Sequence, residues 1–520
     1  MLKPNDRLTW VRLLCVAILV LGIVFRWANL DRKIYWHDEV FTSLHITGHS
    51  RSELVERAFR GEEVTVQDLQ AFQRLDPSRG VGLTVQILGA EDSQHPPLYY
   101  VLAKAWAQWF GDSATAIRSF SALTSLLTFP LLYWLCLELF ECPLTGWVAI
   151  ALIAVSPFHV LYAQEAREYS LWTATVLLCS IALFRAMNVP TIRNWGFYAI
   201  SLILSFYTFL LTALFAVGHA LYVLINTGFS LNRRSVSYLV SSAIALVVLS
   251  PWMYFIRTYA DTVKGSTAWT TQSLTLPTMA NMWAFNVSRL IVDFDFSLDD
   301  LRAYFFIVPV LLLEGYALYY LCRRTSSRVW LFVLCLTFSS FVALLLPDLV
   351  LGGQRSTVTR YLIPSHLGIH LALAYLLTQR LRTTNLMRLR LWGAIAAITV
   401  LAGIASCAVS AQADTWWNKV VGYTNPEMAR IINASDRPLV ISDAFGVNPA
   451  NVVSLSYVLN PQTRFLLLSE VGESFNVPPI DLNANTVFLL NLPEVFRTQF
   501  EQNYQASLTP IVGDLWQVNR

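Results

Sequence analysis

The sequence has 520 residues, of which 55% are hydrophobic and 14% charged, and its mean hydropathy is +0.49. With 30 Phe, 21 Tyr and 17 Trp, it holds more apolar surface than a water-soluble core of this length needs, which indicates a polytopic membrane protein. The net charge of +3 gives no reason to expect nucleic acid binding, and seven cysteines without CxxC or His–Cys metal spacing indicate neither a disulfide framework nor a zinc site.

About eleven apolar segments are predicted to cross the membrane. The first, residues 8–30, has about the ~20 residues that a crossing needs and no cleavage site of a signal peptide, so we interpret it as a retained helix. The segments 195–210 and 211–229 are the hardest to separate because they share one apolar run. After the first, the predicted spans are 114–139, 145–163, 170–188, 195–210, 211–229, 235–256, 301–321, 329–346, 361–378 and 391–411.

Basic residues give the orientation of these spans, because short loops rich in Lys and Arg stay in the cytoplasm. With this set of spans all the basic loops fall on one side, which predicts a cytoplasmic N-terminus and a non-cytoplasmic C-terminus. These loops hold Lys3 and Arg7; Arg185 and Arg193; Arg233 and Arg234; Arg323, Arg324 and Arg328; and Arg380, Arg382, Arg388 and Arg390. Residues 96–111 are short for a crossing and would break this pattern, so we predict a juxtamembrane or partly inserted amphipathic helix there.

The sequence predicts a mainly α protein with two domains. Residues 1–411 would form the transmembrane catalytic domain, with long external loops at 31–113 and 257–300, and residues 412–520 a small soluble α/β domain. The absence of an internal sequence repeat argues against an inverted-repeat transporter. Within the tail, strand patterns occur at 438–444, 464–470 and 485–493, and helical patterns at 448–460 and 493–504.

The motif "YWHDEV" at residues 35–40 places two carboxylates, Asp38 and Glu39, at the outer end of the first span. A carboxylate beside the bilayer is suited to take a proton from a hydroxyl, or to hold a divalent cation against a phosphate. The alternative is an acidic pair that solvates a helix end. His95, in "QHPPLYY", precedes two prolines that favour an extended entry and direct its ring to the membrane surface; a histidine that marks a helix start is the alternative.

A second set of ionisable residues lies at the outer end of the predicted span 145–163, in "SPFHVLYAQEAREYSL". As helical neighbours at i and i+4, Glu165 and Tyr169 would share a face, and Arg167 would point elsewhere and reach a phosphate. A Glu–Arg ion pair within the chain is the alternative interpretation.

The third set, in "GGQRSTVTRYLIPSHLGIH", comprises Arg355, Arg360 and Tyr361. The predicted topology puts these arginines on the outer side, against the positive-inside rule, so they need a local reason to be there. An anionic lipid phosphate is the obvious partner because a guanidinium binds it with two hydrogen bonds.

These motifs, in this order, resemble those of the C-type (GT-C) membrane glycosyltransferases, in particular the bacterial relatives of protein O-mannosyltransferase and of the aminoarabinose transferase that modifies lipid A (glycosyltransferase families 39 and 83). The resemblance covers roughly residues 8–380. It rests on the acidic pair, "HPPLYYVLAKAWAQWFGDSATAIRSFSAL", "SPFHVLYAQEAREYSL" and "TRYLIP". It implies a GT-C fold and inverting transfer of a sugar from a polyprenyl-phosphate carrier to an acceptor hydroxyl.

Carried onto this sequence, the resemblance implies that Asp38 is the catalytic base with Glu39 beside it, although one sequence does not say which acid is essential. Some branches of the fold hold a divalent cation such as Mg²⁺ or Mn²⁺. Here Asp38 and Glu39 would bind it, with Asp293 or Asp295 as a second acid, and metal use is left open. Substrate or phosphate binding is predicted for His95, Glu165, Arg167, Tyr169, Arg355, Arg360 and Tyr361.

The expected partners are a polyprenyl-phosphate sugar donor, a lipid, glycan or protein acceptor, and membrane lipids, with no nucleic acid. The expected location is a bacterial inner membrane, with the active site and the C-terminal domain in the periplasm. Two other classes of protein remain as alternatives: a lipid-linked sugar flippase or other transporter, and a non-catalytic membrane subunit of polysaccharide assembly.

Overall fold

The computed structural model describes residues 4–469, 479–482 and 485–519. Its α-helices are α1 (Pro4–Trp27), α2 (His37–Thr47), α3 (Arg51–Ala58), α4 (Val66–Ala71), α5 (Val81–Glu91), α6 (Leu98–Phe110), α7 (Ala114–Ser125), α8 (Thr128–Phe140), α9 (Pro143–Ala154), α10 (Pro157–Ala163), α11 (Tyr169–Asn188), α12 (Ile192–Thr208), α13 (Thr212–Asn226), α14 (Arg233–Thr258), α15 (Ala260–Thr267), α16 (Leu276–Ser288), α17 (Tyr304–Arg324), α18 (Ser327–Leu351), α19 (Ile363–Leu381), α20 (Leu386–Gln412), α21 (Asn425–Asn433), α22 (Asn448–Ser456) and α23 (Glu494–Tyr504). Its strands are β1 (Glu63–Thr65), β2 (Pro438–Asp443), β3 (Arg464–Leu468), β4 (Thr486–Leu490), β5 (Ser507–Val512) and β6 (Leu515–Asn519).

The chain divides into two compact units. Unit 1 comprises Met1–Ala28, Asp92–Tyr99 and Arg118–Ala411, and unit 2 comprises Asn29–Glu91, Tyr100–Ile117 and Gln412–Arg520. Unit 2 therefore includes most of the loop predicted at 31–113 together with the tail.

Eight helices in the described residues are long and apolar enough to cross a membrane. They are Thr9–Trp27, Ala114–Phe140, Tyr169–Asn188, Arg233–Thr258, Leu301–Arg324, Ser327–Leu351, Thr359–Leu381 and Leu386–Gly422. Helices α9 and α10 form a ninth candidate that is bent by 64°. The remaining two of the eleven predicted spans are α12 and α13, which have only 17 and 15 residues and are separated at Phe209.

The break between α9 and α10 corrects the prediction of one continuous span at 145–163. Pro157 begins α10 because proline has no N–H to continue the ladder of α9 and its fixed φ suits a first helical position. Arg26, which is buried, donates to the carbonyl oxygens of Ala154 at 2.7 Å and Ile153 at 3.0 Å, so it satisfies groups that the break leaves without helical partners.

Unit 2 contains a six-stranded mixed sheet in the order β1-β3-β2-β4-β6-β5, in which β3, β2 and β4 are parallel. The strands and helices predicted in the tail are confirmed as β2, β3, β4, α22 and α23. The sheet also includes β1, from the loop after the first span, which pairs antiparallel with β3. The apolar side chains of β2 and β4 pack against Phe496 and Phe500 of α23, so the alternating pattern of the tail builds this core.

Candidate active site

Asp38 lies in the first turn of α2, where a carboxylate interacts favourably with the positive end of the helix dipole. Its side chain is 21% exposed, and its Oδ1 is 3.2 Å from Nε2 of His37. Thr42, one turn later, donates to the backbone carbonyl of Asp38 at 3.1 Å. This carboxylate is thus held beside a histidine and still faces solvent.

Glu39, the next residue, has different surroundings. Its side chain is fully buried, and Nζ of Lys419 donates to its Oε2 at 3.3 Å. Lys419 is itself only 1% exposed, and its ammonium lies 5.2 Å from the centre of the Trp36 ring. The structure therefore distinguishes the two acids that the sequence leaves equivalent: Asp38 is the accessible one and Glu39 belongs to a buried ion pair.

In unit 1, His95 is held between an acid and a guanidinium. Its Nδ1 lies 2.8 Å from Oε1 of Glu168, and Nη2 of Arg167 lies 3.0 Å from its Nε2. The two contacts fit one tautomer, in which Nδ1–H donates to the carboxylate and Nε2 accepts from Arg167. Burial alone would raise the pKa of Glu168, but the charges of Arg167 and His95 outweigh it and lower the pKa to about 2.

Two arginines that are far apart in the sequence meet at one aromatic ring. The guanidinium carbons of Arg167 and Arg360 each lie 5.9 Å from the ring centre of Tyr169. That of Arg360 is also 5.7 Å from the ring of Tyr361 and 5.8 Å from the ring of Trp269. We call Arg167, Tyr169, Arg360 and Tyr361 the arginine–tyrosine cluster; four residues predicted to bind substrate thus come together in unit 1.

The helical relation predicted between Glu165 and Tyr169 is wrong. The chain leaves the helix after Ala163 and re-enters it at Tyr169, so residues 164–168 form a turn, and the backbone N–H of Arg167 donates to the carbonyl of Glu165 at 2.7 Å. Glu165 is buried at 1% exposure. The carboxylate of Glu168 approaches the guanidinium of Arg167, at 3.4 Å from Nε.

Arg355 forms an ion pair outside the cluster. Its Nη1 is 3.0 Å from Oδ1 of Asp348, a fully buried carboxylate that also accepts from the backbone N–H groups of Arg355 and Ser356. Gly353 adopts a φ of +146°, and a Cβ there would lie 2.2 Å from Nη1 of Arg355, so this loop needs glycine to bring the guanidinium back to Asp348. Arg355 therefore stabilises the loop before Arg360.

Sequence reasoning missed Lys419 and Phe209, and it did not separate Glu168 from its neighbours. Lys419 is 380 residues from Glu39, and no local pattern signals such a pair. Phe209, whose ring stacks on that of His95 with 6.0 Å between centres, interrupts an apolar run without any polar signal. The sequence does carry a signal for Glu168: it directly follows Arg167, and a charged residue close to the membrane is usually paired with an opposite charge.

Among the described residues, no group of three or more His, Cys, Asp or Glu is arranged to hold a metal ion. Lys419 donates to Glu39, and an ammonium at that carboxylate does not fit a divalent cation at the same oxygen. Asp293 lies 4.0 Å from Nε of Arg289 and accepts from the backbone of Asp295. The surroundings of Glu39 and Asp293 do not favour a divalent cation, and metal binding stays a prediction.

One unit is helical, contains the long apolar helices and holds the arginine–tyrosine cluster, and the other contains the mixed sheet. Two solved structures of ArnT from Cupriavidus metallidurans, one bound to undecaprenyl phosphate and one in the apo state, each give a TM-score of 0.55. They are 12% and 13% identical, and each comparison covers 98% of both chains. The chain has the GT-C fold of membrane glycosyltransferases, as the sequence predicts.

Residues 94–255 also match the family model described as dolichyl-phosphate-mannose-protein mannosyltransferase. The archaeal oligosaccharyltransferase AglB from Archaeoglobus fulgidus is 11% identical, covering 87% of this chain and 64% of that one. Its TM-score of 0.47 is too low to infer a shared fold from it. No curated protein matches the chain.

Proposed function

We propose that this chain is a membrane glycosyltransferase that moves a sugar from a polyprenyl-phosphate donor to a hydroxyl of a lipid, glycan or protein acceptor on the non-cytoplasmic side, with inversion. The observation that carries the proposal is the pair Arg167 and Arg360 on the ring of Tyr169. The GT-C fold shared with ArnT, one structure of which is bound to undecaprenyl phosphate, supports a lipid-phosphate donor. The match of residues 94–255 to mannosyltransferases supports sugar transfer.

The arginine–tyrosine cluster would bind the phosphate of the donor. A guanidinium fits a phosphate with two parallel hydrogen bonds, and two of them neutralise the charge that develops when the phosphate leaves. His95 and Glu168 position Arg167, because each contacts its guanidinium group. Phe209, Trp269 and the tyrosines supply flat apolar faces on which a sugar ring packs.

In the proposed step, Asp38 takes the proton of the acceptor hydroxyl. The hydroxyl oxygen attacks the anomeric carbon on the face opposite the phosphate, so its new bond forms as the carbon–oxygen bond to phosphate breaks. Polyprenyl phosphate departs with that electron pair, and the configuration at the anomeric carbon inverts. Glu39, already paired with Lys419, would take no proton.

The test uses the purified full chain with a labelled polyprenyl-phosphate hexose. Release of polyprenyl phosphate with label on an acceptor supports transfer, whereas movement of the intact donor across a vesicle membrane without bond cleavage supports a flippase and contradicts the proposal. Asp38→Asn should lower kcat by roughly 10² to 10⁴-fold, the usual contribution of a general base, with little change in donor KM.

Arg360→Gln separates phosphate binding from proton transfer, and we expect it to raise KM for the donor and to lower kcat. The matched control is Arg302→Gln, which removes an arginine of unit 1 that is 85% exposed and paired with Asp300. Equal effects of the two substitutions would contradict a specific role of the cluster.

A further inference from the structure

A second arginine-rich region lies where α17 is joined to α18 and α19 to α20. It holds Arg323, Arg324, Arg328, Arg380, Arg382, Arg388 and Arg390. Between residues 315 and 413 the sequence has a single acidic residue, Asp348, and the carboxylate of Asp348 is held by Arg355. None of the seven arginines forms an ion pair with a described residue. No described acidic side chain is therefore within ion-pairing distance of these seven arginines.

Two of these arginines are held at one aromatic ring. The guanidinium carbon of Arg380 lies 4.5 Å from the ring centre of Tyr320, and that of Arg324 lies 5.9 Å from the same ring. Arg380 is also 5.7 Å from the ring of Tyr316 and 5.1 Å from that of Trp392. Three rings around a cation fix its position, because each ring face attracts positive charge.

The same contacts leave hydrogen-bonding capacity unused. Nε of Arg380 is buried and has no hydrogen-bond partner among the described residues. Two guanidinium groups near one ring repel each other, and a buried donor without an acceptor costs free energy. An anion beside the Tyr320 ring would reduce the repulsion between the two guanidinium groups, and its oxygens would accept from their N–H groups.

We propose that Arg324 and Arg380 bind the phosphodiester group of an anionic glycerophospholipid. The site lies at the ends of helices that are long and apolar enough to cross a membrane, so it falls at the level of the lipid headgroups. The guanidinium fork matches two phosphate oxygens. Exposed apolar side chains at the start of α20, among them Met387 at 83% and Leu391 at 58%, provide a surface for the acyl chains.

Orientation by positive charge accounts for basic residues at this end, and lipid binding would be an additional role of Arg324 and Arg380. The contacts of these two arginines with one aromatic ring, and not the preference for arginine, distinguish them from the other basic residues at this end. The lipid site does not depend on the proposed transfer reaction, so failure of one leaves the other standing.

The experiment measures lipid binding by native mass spectrometry of the full chain in detergent, titrated with phosphatidylglycerol or with phosphatidylcholine. We expect phosphatidylglycerol to be retained and phosphatidylcholine to be lost, because the choline cation of phosphatidylcholine balances its phosphate and is repelled by the arginines. Arg324→Gln and Arg380→Gln should each weaken phosphatidylglycerol binding about tenfold to hundredfold, the contribution of a charge-assisted hydrogen bond. Arg302→Gln is the matched control and should change nothing, because its arginine is already paired with Asp300.

Three results would overturn the lipid site. They are equal retention of the two lipids, unchanged phosphatidylglycerol binding in both variants, and displacement of the lipid by inorganic phosphate alone. Arg324 is exposed, so Arg324→Gln decides the question if Arg380→Gln disturbs the aromatic contacts and lowers the unfolding temperature.

Discussion

The adjacent carboxylates Asp38 and Glu39 differ in burial, so substitution of each should have a different effect on stability. Glu39 and Lys419 are both buried, and breaking a buried ion pair by removing one partner typically costs about 3–5 kcal/mol. We therefore expect Glu39→Gln and Lys419→Met each to lower the free energy of unfolding by that amount, and the double variant to lose less than the two losses added together.

The measurement is a double-mutant cycle on thermal unfolding in detergent, with Glu62→Gln, at an exposed acid of the same unit, as control. Strict additivity of the two single losses would show that the ion pair carries no coupling. An Asp38→Asn protein, in contrast, should unfold at an almost unchanged temperature while losing transfer, because Asp38 is partly exposed.

Glu168 makes a pH-dependent contribution to stability. Its pKa falls from an ordinary value of 4.5 to about 2, because the charges of Arg167 and His95 outweigh the effect of burial, so the folded state binds the proton more weakly than the unfolded state. The contribution is therefore fully present above about pH 4.5 and is lost as the pH falls towards 2.

The test compares the unfolding temperature of the natural chain with that of Glu168→Gln across pH. The difference should be constant near neutral pH and should shrink by about half by pH 3. Other carboxylates titrate in both proteins and cancel in the comparison. A difference that grows as the pH falls would contradict the depressed pKa.

At this scale, residue types beside the membrane were predictable and their partners were not. "AREYS" and "TRYLIP" each carry an arginine within two residues of a tyrosine, which is a local signal for Arg167, Tyr169, Arg360 and Tyr361. The partner of Glu39 lies 380 residues away in the sequence. The ion pair between Arg355 and Asp348 depends on Gly353, whose backbone conformation brings the two side chains together. A single sequence holds no signal for either contact.

Among the elements, the broken span α9–α10 depends on close helix packing. A Cβ at Gly22 of α1 would lie 2.4 Å from the carbonyl oxygen of Ala154, and one at Gly403 of α20 would lie 2.5 Å from that of Val155. Both contacts involve backbone at the break, which has little room to move. Glycine at these two positions thus allows α1 and α20 to approach the end of α9.

We expect Gly403→Ala to destabilise the chain by about 1–3 kcal/mol, the usual cost of overpacking. Gly393 is on the same helix and has open space where its Cβ would lie, so Gly393→Ala should be neutral or should stabilise by up to about 1 kcal/mol through helix propensity. Unfolding temperatures in detergent distinguish them. Equal shifts would contradict a packing role for Gly403.

The elements that the sequence predicts correctly are those with a strong local pattern. Strands β2, β3 and β4 are short runs of Val, Ile, Leu and Phe between polar turns, and helices α22 and α23 begin beside prolines. Strand β1 has three residues in a polar stretch and forms by pairing with β3, so no pattern marks it. The break at Val155 was missed because the apolar run continues through it, although Pro157 is a start signal.

On the scale of the whole molecule, one sheet pairing constrains the membrane topology. Glu63 pairs with Leu466 and Thr65 with Arg464, so the loop after the first span and the tail lie on the same side of the membrane. The chain between them must then cross an even number of times. Seven of the eight long helices lie in that stretch, and α12 and α13, joined by three residues, add two crossings or none. If each of the seven long helices crosses, an even total requires the bent pair α9–α10 to complete a crossing as well.

Labelling of single cysteines with a membrane-impermeant thiol reagent tests this topology in a cysteine-free chain in intact cells or oriented vesicles. Glu62→Cys beside β1 and Ser507→Cys in β5 are both exposed and should react from the same side, because their strands belong to one sheet. Ser326→Cys, at the exposed turn before α18, should react only after permeabilisation, because the arginines beside it keep that turn on the opposite side. Reaction of residues 62 and 507 from different sides would be incompatible with the sheet, and protection of both with reaction of residue 326 would reverse the predicted orientation.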